Sequence, residues 1–182
     1  MVEEIDHPLP KKIFFQDESR FGLMTQPGRR WARKGKRPLI PYRMTRDYLA
    51  LFSSVCPATG EMSSLISPYM NTHAMSEHLK ILSREHPDSC NIVIMDGAGW
   101  HRSKDLEIPD NVKLIRLPPY SPQLNPIEQI WLYIKSHYTR GAYFESLDQV
   151  EISLLDGVCH LLSKPELVKS IAKPSYAQSI FA

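Results

Sequence analysis

The chain has 182 residues, 42% of them hydrophobic and 23% charged, with a net charge of +2 at neutral pH. That size suits one domain with a continuous core, and so ordinary a composition excludes a disordered or fibrous chain. Near-balanced charge leaves any polyanionic partner to be argued from where the basic residues lie.

Cys56, Cys90 and Cys159 are odd in number and far apart. They fit reduced thiols inside a cell better than a disulfide frame or a zinc site. The opening Met1-Val2-Glu3-Glu4-Ile5-Asp6 lacks the basic and apolar regions of a signal peptide, and no stretch approaches the length needed to cross a bilayer. The expectation is an intracellular protein without a membrane partner.

In chain order, Lys12 to Gly22 reads as a strand, with Asp17 soon after Ile13-Phe14-Phe15. Strand side chains alternate, so Asp17 and Glu18 face opposite ways; Asp17 is in phase with Ile13 and Phe15 and is the candidate. Pro27 to Pro38 carries Arg29, Arg30, Arg33, Lys34, Lys36 and Arg37, no acid, and Trp31 in the middle. Such a stretch either neutralises several phosphates or is a solvated loop. Tyr48–Val55 and Met62–Ile66, joined by Pro57-Ala58-Thr59-Gly60, predict an antiparallel pair. Thr72–Glu85 predicts a helix with Met75, His78, Leu79 and Leu82 on one face, where His78 reads as a packed histidine rather than a ligand.

Asn91–Met95 is a short apolar run ending in Asp96, and Val112–Leu117 is a second; both predict buried strands. A proline-rich turn then leads into a helix with a well-marked start: Asn125 suits the N-cap, and Pro126 the first helical position. Ile127, Ile130, Trp131 and Ile134 give that helix a core face, with Glu128 beside it in the first turn. Leu147, Val150, Leu154, Val158 and Leu161 form the stripe of a closing helix. The order predicts an α/β domain, a mixed sheet flanked by helices.

Asp17, Asp96 and Glu128 thus lie at strand ends and at a helix start, from which carboxylates converge to hold divalent cations through oxygen. Each has a plainer explanation. Asp17 could face water, Asp96 could open a turn with Gly97, and Glu128 could be the glutamate of a capping box begun by Asn125.

Phe15-Gln16-Asp17-Glu18-Ser19, Met95-Asp96-Gly97-Ala98-Gly99-Trp100-His101 and above all Leu117-Pro118-Pro119-Tyr120-Ser121-Pro122-Gln123-Leu124-Asn125-Pro126-Ile127-Glu128-Gln129-Ile130-Trp131 resemble the catalytic domain of mariner-like insertion-sequence transposases, the DDE endonucleases. The resemblance runs from about Lys12 to Arg140. It implies a ribonuclease H-like fold with a five-stranded sheet, and it matches Asp17, Asp96 and Glu128 to an acidic triad that binds two Mg²⁺ or Mn²⁺ ions. It further implies cleavage and strand transfer on double-stranded DNA at transposon ends, a TA-containing target, a homodimer on the DNA and a nucleoid-associated, cytoplasmic location. Arg29, Arg30, Arg33, Lys34, Lys36 and Arg37 correspond to a loop that reaches toward DNA and the partner subunit. His101 matches a histidine often found after the second acid, and Lys135 is a candidate phosphate contact.

The pattern departs from the family in two ways. Only 31 residues lie between Asp96 and Glu128, fewer than usual, so the loop there should be short. Sixteen residues precede Asp17, so residues 1–182 are expected to form a single catalytic domain without the helix-turn-helix region that recognises the element's ends. That region would then belong to a separate chain or to a missing segment, or be lost altogether, as in a split reading frame or a truncated remnant. Two other readings share the fold: a metal-dependent nuclease that cuts without joining, and an inactive DNA-binding remnant. A glycosidase is disfavoured, since a basic loop does not suit a neutral sugar.

Overall fold

A computed structural model of the chain describes residues 5–26, 28, 31–36, 39, 41–97, 105–117 and 125–173. Strands β1 (Lys11–Gly22), β2 (Tyr48–Val55), β3 (Met62–Ser67), β4 (Cys90–Met95) and β5 (Val112–Arg116) form one sheet in the order β3-β2-β1-β4-β5. β1, β2 and β3 pair antiparallel, while β4 runs parallel to both β1 and β5. This is the expected mixed sheet. The β2–β3 connection tightens at Gly60, whose φ of +78° favours glycine and where a Cβ would lie 1.9 Å from the Pro165 carbonyl oxygen.

Strand alternation gives the sheet two apolar faces. Phe14, Ala50, Phe52, Val93 and Met95 point to one, against Met75, Leu79 and Leu82 of helix α1 (Thr72–Glu85). Asn71 caps α1, its Oδ1 accepting from the Ala74 N–H at 2.9 Å. His78 is fully buried on this side with Nε2 2.8 Å from Ser54 Oγ, a packed histidine as expected.

Phe15, Phe21, Leu49, Leu51 and Val55 point to the other face. They meet Ile127, Ile130, Trp131 and Ile134 of α2 (Ile127–Ile134), and Val150, Leu154, Val158 and Leu161 of α3 (Leu147–Leu162). The apolar periodicities expected of both helices are the faces they bury. Two features were not anticipated. α2 runs on into a π-helical turn, Lys135–Thr139, closed by the Arg140 N–H to the Lys135 carbonyl at 2.6 Å. A short helix α4 (Pro165–Ile171) then follows α3, with Pro165 in its first turn and Val168 in the core.

Cys56 and Cys90 are buried free thiols and Cys159 an exposed one, in line with the reduced reading. Among the described residues no helix is long and apolar enough to cross a membrane.

Candidate active site

The parallel ladder between β1 and β4 runs from Lys11 opposite Cys90 to Phe15 opposite Ile94, and then stops. Carried two residues further, the same register sets Asp17 across from Asp96. Asp17 shares the parity of Phe15 and Asp96 that of Ile94, so both belong to the α2 side of the sheet.

Where β1 parts from β4, Asn125 fills the gap. Its Nδ2 donates to the Gln16 carbonyl at 3.0 Å, while its Oδ1 accepts from the Ile127 N–H at 3.3 Å. The first α-helical residue is Ile127, and Pro126 before it already has helical angles but no side chain that caps; the capping bond comes from Asn125, one residue earlier. One buried amide therefore starts α2 and ties that start to β1 beside Asp17. Glu128 follows one residue on, half-buried. Its carboxylate makes no hydrogen bond with the described residues, so the capping-box explanation lacks its bond.

Asp17 is the most perturbed acid here. Burial pushes its carboxyl up to about 7, and the Trp131 indole and the Glu18 backbone N–H pull the other way. The neighbouring carboxylates of Glu18 and Glu128 raise it further, which puts Glu128 within electrostatic reach. Trp131 Nε1 donates to Asp17 Oδ2 at 2.8 Å. The Trp131 ring is in turn packed edge-on to Phe21 at 6.3 Å, and Lys135 Nζ sits 5.6 Å over the other ring of that pair, Phe21. Lys135 is therefore half-buried against an aromatic ring rather than extended into solvent.

Of the residues expected at the site, Asp17 feels the Glu128 carboxylate, and Asp96 is exposed just past the end of β4, beyond the last pair of the β1–β4 ladder, Phe15 and Ile94. Arg33, Lys34 and Lys36 are exposed. Arg29, Arg30, Arg37 and His101 lie outside the described residues. Sequence reasoning assigned Trp131 to the core and missed its grip on Asp17. The available signal was that a buried indole N–H needs an acceptor, and that Trp131 lies three residues after Glu128.

The donor set is all carboxylate oxygen, which suits Mg²⁺ or Mn²⁺ and not a thiophilic metal. Asp17 is half-buried with neutral N–H donors and like charges around it, so a cation would supply a counter-charge. Among the described residues no three His, Cys, Asp or Glu side chains stand close enough to hold an ion by themselves. The fit to a divalent cation is therefore one of donor chemistry, carboxylate oxygens suited to a hard ion.

Comparison with known proteins agrees with this geometry. The chain is 34% identical to the uncharacterized protein y4pE/y4sA of Sinorhizobium fredii (strain NBRC 101917 / NGR234), over 70% of this chain and 95% of that one. It is 26% identical to the insertion element IS630 uncharacterized 39 kDa protein of Shigella sonnei, over 80% of this chain but 43% of that protein. Among solved structures, a pre-cleavage Mos1 transpososome superposes with a TM-score of 0.58 at 17% identity, covering 89% of this chain and 56% of the other. The Mos1 mariner paired-end complex with Mn gives 0.57 at 18%, covering 89% and 56%. The fold is thus ribonuclease H-like, and the chain spans about half the length of the Mos1 and IS630 proteins. The family profile described as DDE superfamily endonuclease matches residues 12–151, a span that holds Asp17, Asp96 and Glu128, and the chain belongs to that superfamily.

Proposed function

We propose that this domain cuts DNA at the ends of a mobile element and joins the freed 3′-hydroxyl to a TA-containing target. Asp17, Asp96 and Glu128 are its catalytic acids and metal ligands. One observation carries the reading. The helix bearing Glu128 reaches back through Trp131 to grip Asp17 at 2.8 Å.

Phosphodiester transfer needs no covalent protein nucleophile; two Mg²⁺ or Mn²⁺ ions held by carboxylates supply the charge that activates the attacking oxygen and stabilises the leaving one. The chain's own work is placement. Asn125 and Trp131 fix α2 and its Glu128 against β1 beside Asp17, and Asp96 follows the strand that pairs with β1. Packing of α2 over Asp17 keeps water from screening its charge.

The basic loop is the natural contact for the DNA backbone. Arg33, Lys34 and Lys36 are exposed, and Trp31 is fully so at 104% of its reference area. Arg29, Arg30 and Arg37 of the same stretch raise its count to six basic residues, and Lys135 and His101 are the further candidates for DNA contact. Double-stranded DNA and a homodimer assembled on paired ends belong to the same proposal. The Mos1 structures, described as paired-end and transpososome complexes, support it by analogy of fold.

A strand-transfer assay with precut ends and Mn²⁺ tests it. Joined product is expected. Nicking without joining would make the protein a nuclease of this fold, and neither product would make it an inactive DNA-binding remnant.

A further inference from the structure

We propose that Trp131 selects the cation this site takes, by engaging one oxygen of Asp17 and leaving the other to the ion. The inference rests on the reading of Asp17 as a metal ligand. Trp131 Nε1 donates to Asp17 Oδ2 at 2.8 Å across a sequence separation of 114 residues. The indole is held in place: Trp131 is 2% exposed, Phe21 packs edge-on to it at 6.3 Å, and Ile127, Ile130 and Ile134 on the same helix are fully buried.

A carboxylate with one oxygen committed to a directional N–H bond meets a cation through the other oxygen. A bidentate grip needs both oxygens turned to the ion. Mg²⁺ and Mn²⁺ are small, prefer octahedral surroundings and accept a single oxygen from each carboxylate; Ca²⁺ takes more oxygens at longer distances and often takes a carboxylate through both. The Trp131 bond therefore favours the smaller ions over Ca²⁺. Trp131 touches the ligand and not the ion, which makes it a positioning residue.

Two substitutions separate the N–H from the packing. Trp131→Phe keeps an aromatic ring and removes the donor. Trp131→His removes the benzene half of the side chain but keeps a five-membered ring whose Nε2–H superposes on the indole N–H. Mn²⁺ and Ca²⁺ affinities of the full chain are measured by titration calorimetry, with circular dichroism to report folding. Trp131→Phe is expected to weaken Mn²⁺ about tenfold and leave Ca²⁺ unchanged or tighter, since partners that orient a metal ligand are typically worth about 10–100-fold in affinity. Trp131→His is expected to keep the wild-type preference for Mn²⁺ despite lower thermal stability.

A purely structural role predicts the reverse, with His the more damaging change and both ions weakened in proportion, and that result overturns the inference. So does a folded Trp131→His that has lost the preference, which keeps the test valid if Trp131→Phe fails to fold. Wild-type protein that binds Mn²⁺ with both variants unaltered defeats this inference alone. Wild-type protein that binds neither ion defeats the reading of the site, and this inference with it.

Discussion

Asp17 carries its charge against its surroundings, and that has a sign that can be measured. Its folded pKa of about 7 lies above the ordinary value of 3.8, chiefly through burial, so the folded chain holds the proton more tightly than the unfolded one. Without metal, Asp17 therefore lowers stability as pH rises from about 4, with the full loss present above pH 7. His78 acts in the opposite direction. Burial drives it from 6.5 down to about 3, so stability is lost as pH falls below 6.5. In chelator, Asp17→Asn is expected to melt higher than wild type at pH 8 and no higher at pH 4, read by thermal denaturation at both. A lower melting temperature at pH 8 would mean that the Asp17 charge is already compensated. At this scale the sequence was informative about direction: alternation with Ile13 and Phe15 set the face of Asp17. It was silent about reach, because no local pattern says that an indole 114 residues away supplies the donor.

α2 shows what the periodicity of an element contains and what it omits. Ile127, Ile130, Trp131 and Ile134 mark a buried stripe, and Asn125 and Pro126 mark a start, all visible as spacing and cap chemistry. Neither the long-range bond from Asn125 to the Gln16 carbonyl nor the π-helical turn after Ile134 leaves a mark in spacing, because both arise from packing against β1 and α3. α4 escaped notice for another reason, since seven residues are too few to display a period. Asn125 holds both the helix start and the strand beside Asp17. Asn125→Ala is therefore expected to cost about 1–2 kcal/mol, the loss of a cap and a buried hydrogen bond. Urea denaturation measures this, and metal-dependent cleavage should fall by more than the stability change explains, because the spacing of Glu128 and Asp17 depends on the same tie. A cleavage rate unchanged at full folding would show that the tie serves only the fold.

The two-faced sheet with helices on each side was legible from element order, whereas the partner was not legible from total charge. A net +2 conceals a loop with six basic residues and no acid, half of them outside the described residues. If that loop lies along DNA, binding should weaken steeply with salt, by about 0.9 in log affinity per log salt for each phosphate contacted. Replacing Arg33, Lys34 and Lys36 with alanine should flatten that slope by roughly 3. Fluorescence anisotropy on duplex DNA between low and moderate salt reads it; an unchanged slope would return the loop to a solvated surface.

All of this depends on the three acids acting as one metal site, and Asp96, just past the end of β4, is the exposed member of the three. The most direct measurement is the melting temperature of wild type and Asp96→Asn with and without Mn²⁺. A ligand at about 100 times its Kd stabilises the folded state by about 2.7 kcal/mol, so wild type should melt several degrees higher with Mn²⁺. Asp96→Asn should melt at least as high as wild type without metal, relieved of one like charge, and gain nothing from Mn²⁺. An Asp96→Asn protein that Mn²⁺ stabilises as much as it does wild type, or one that fails to fold, would contradict the account.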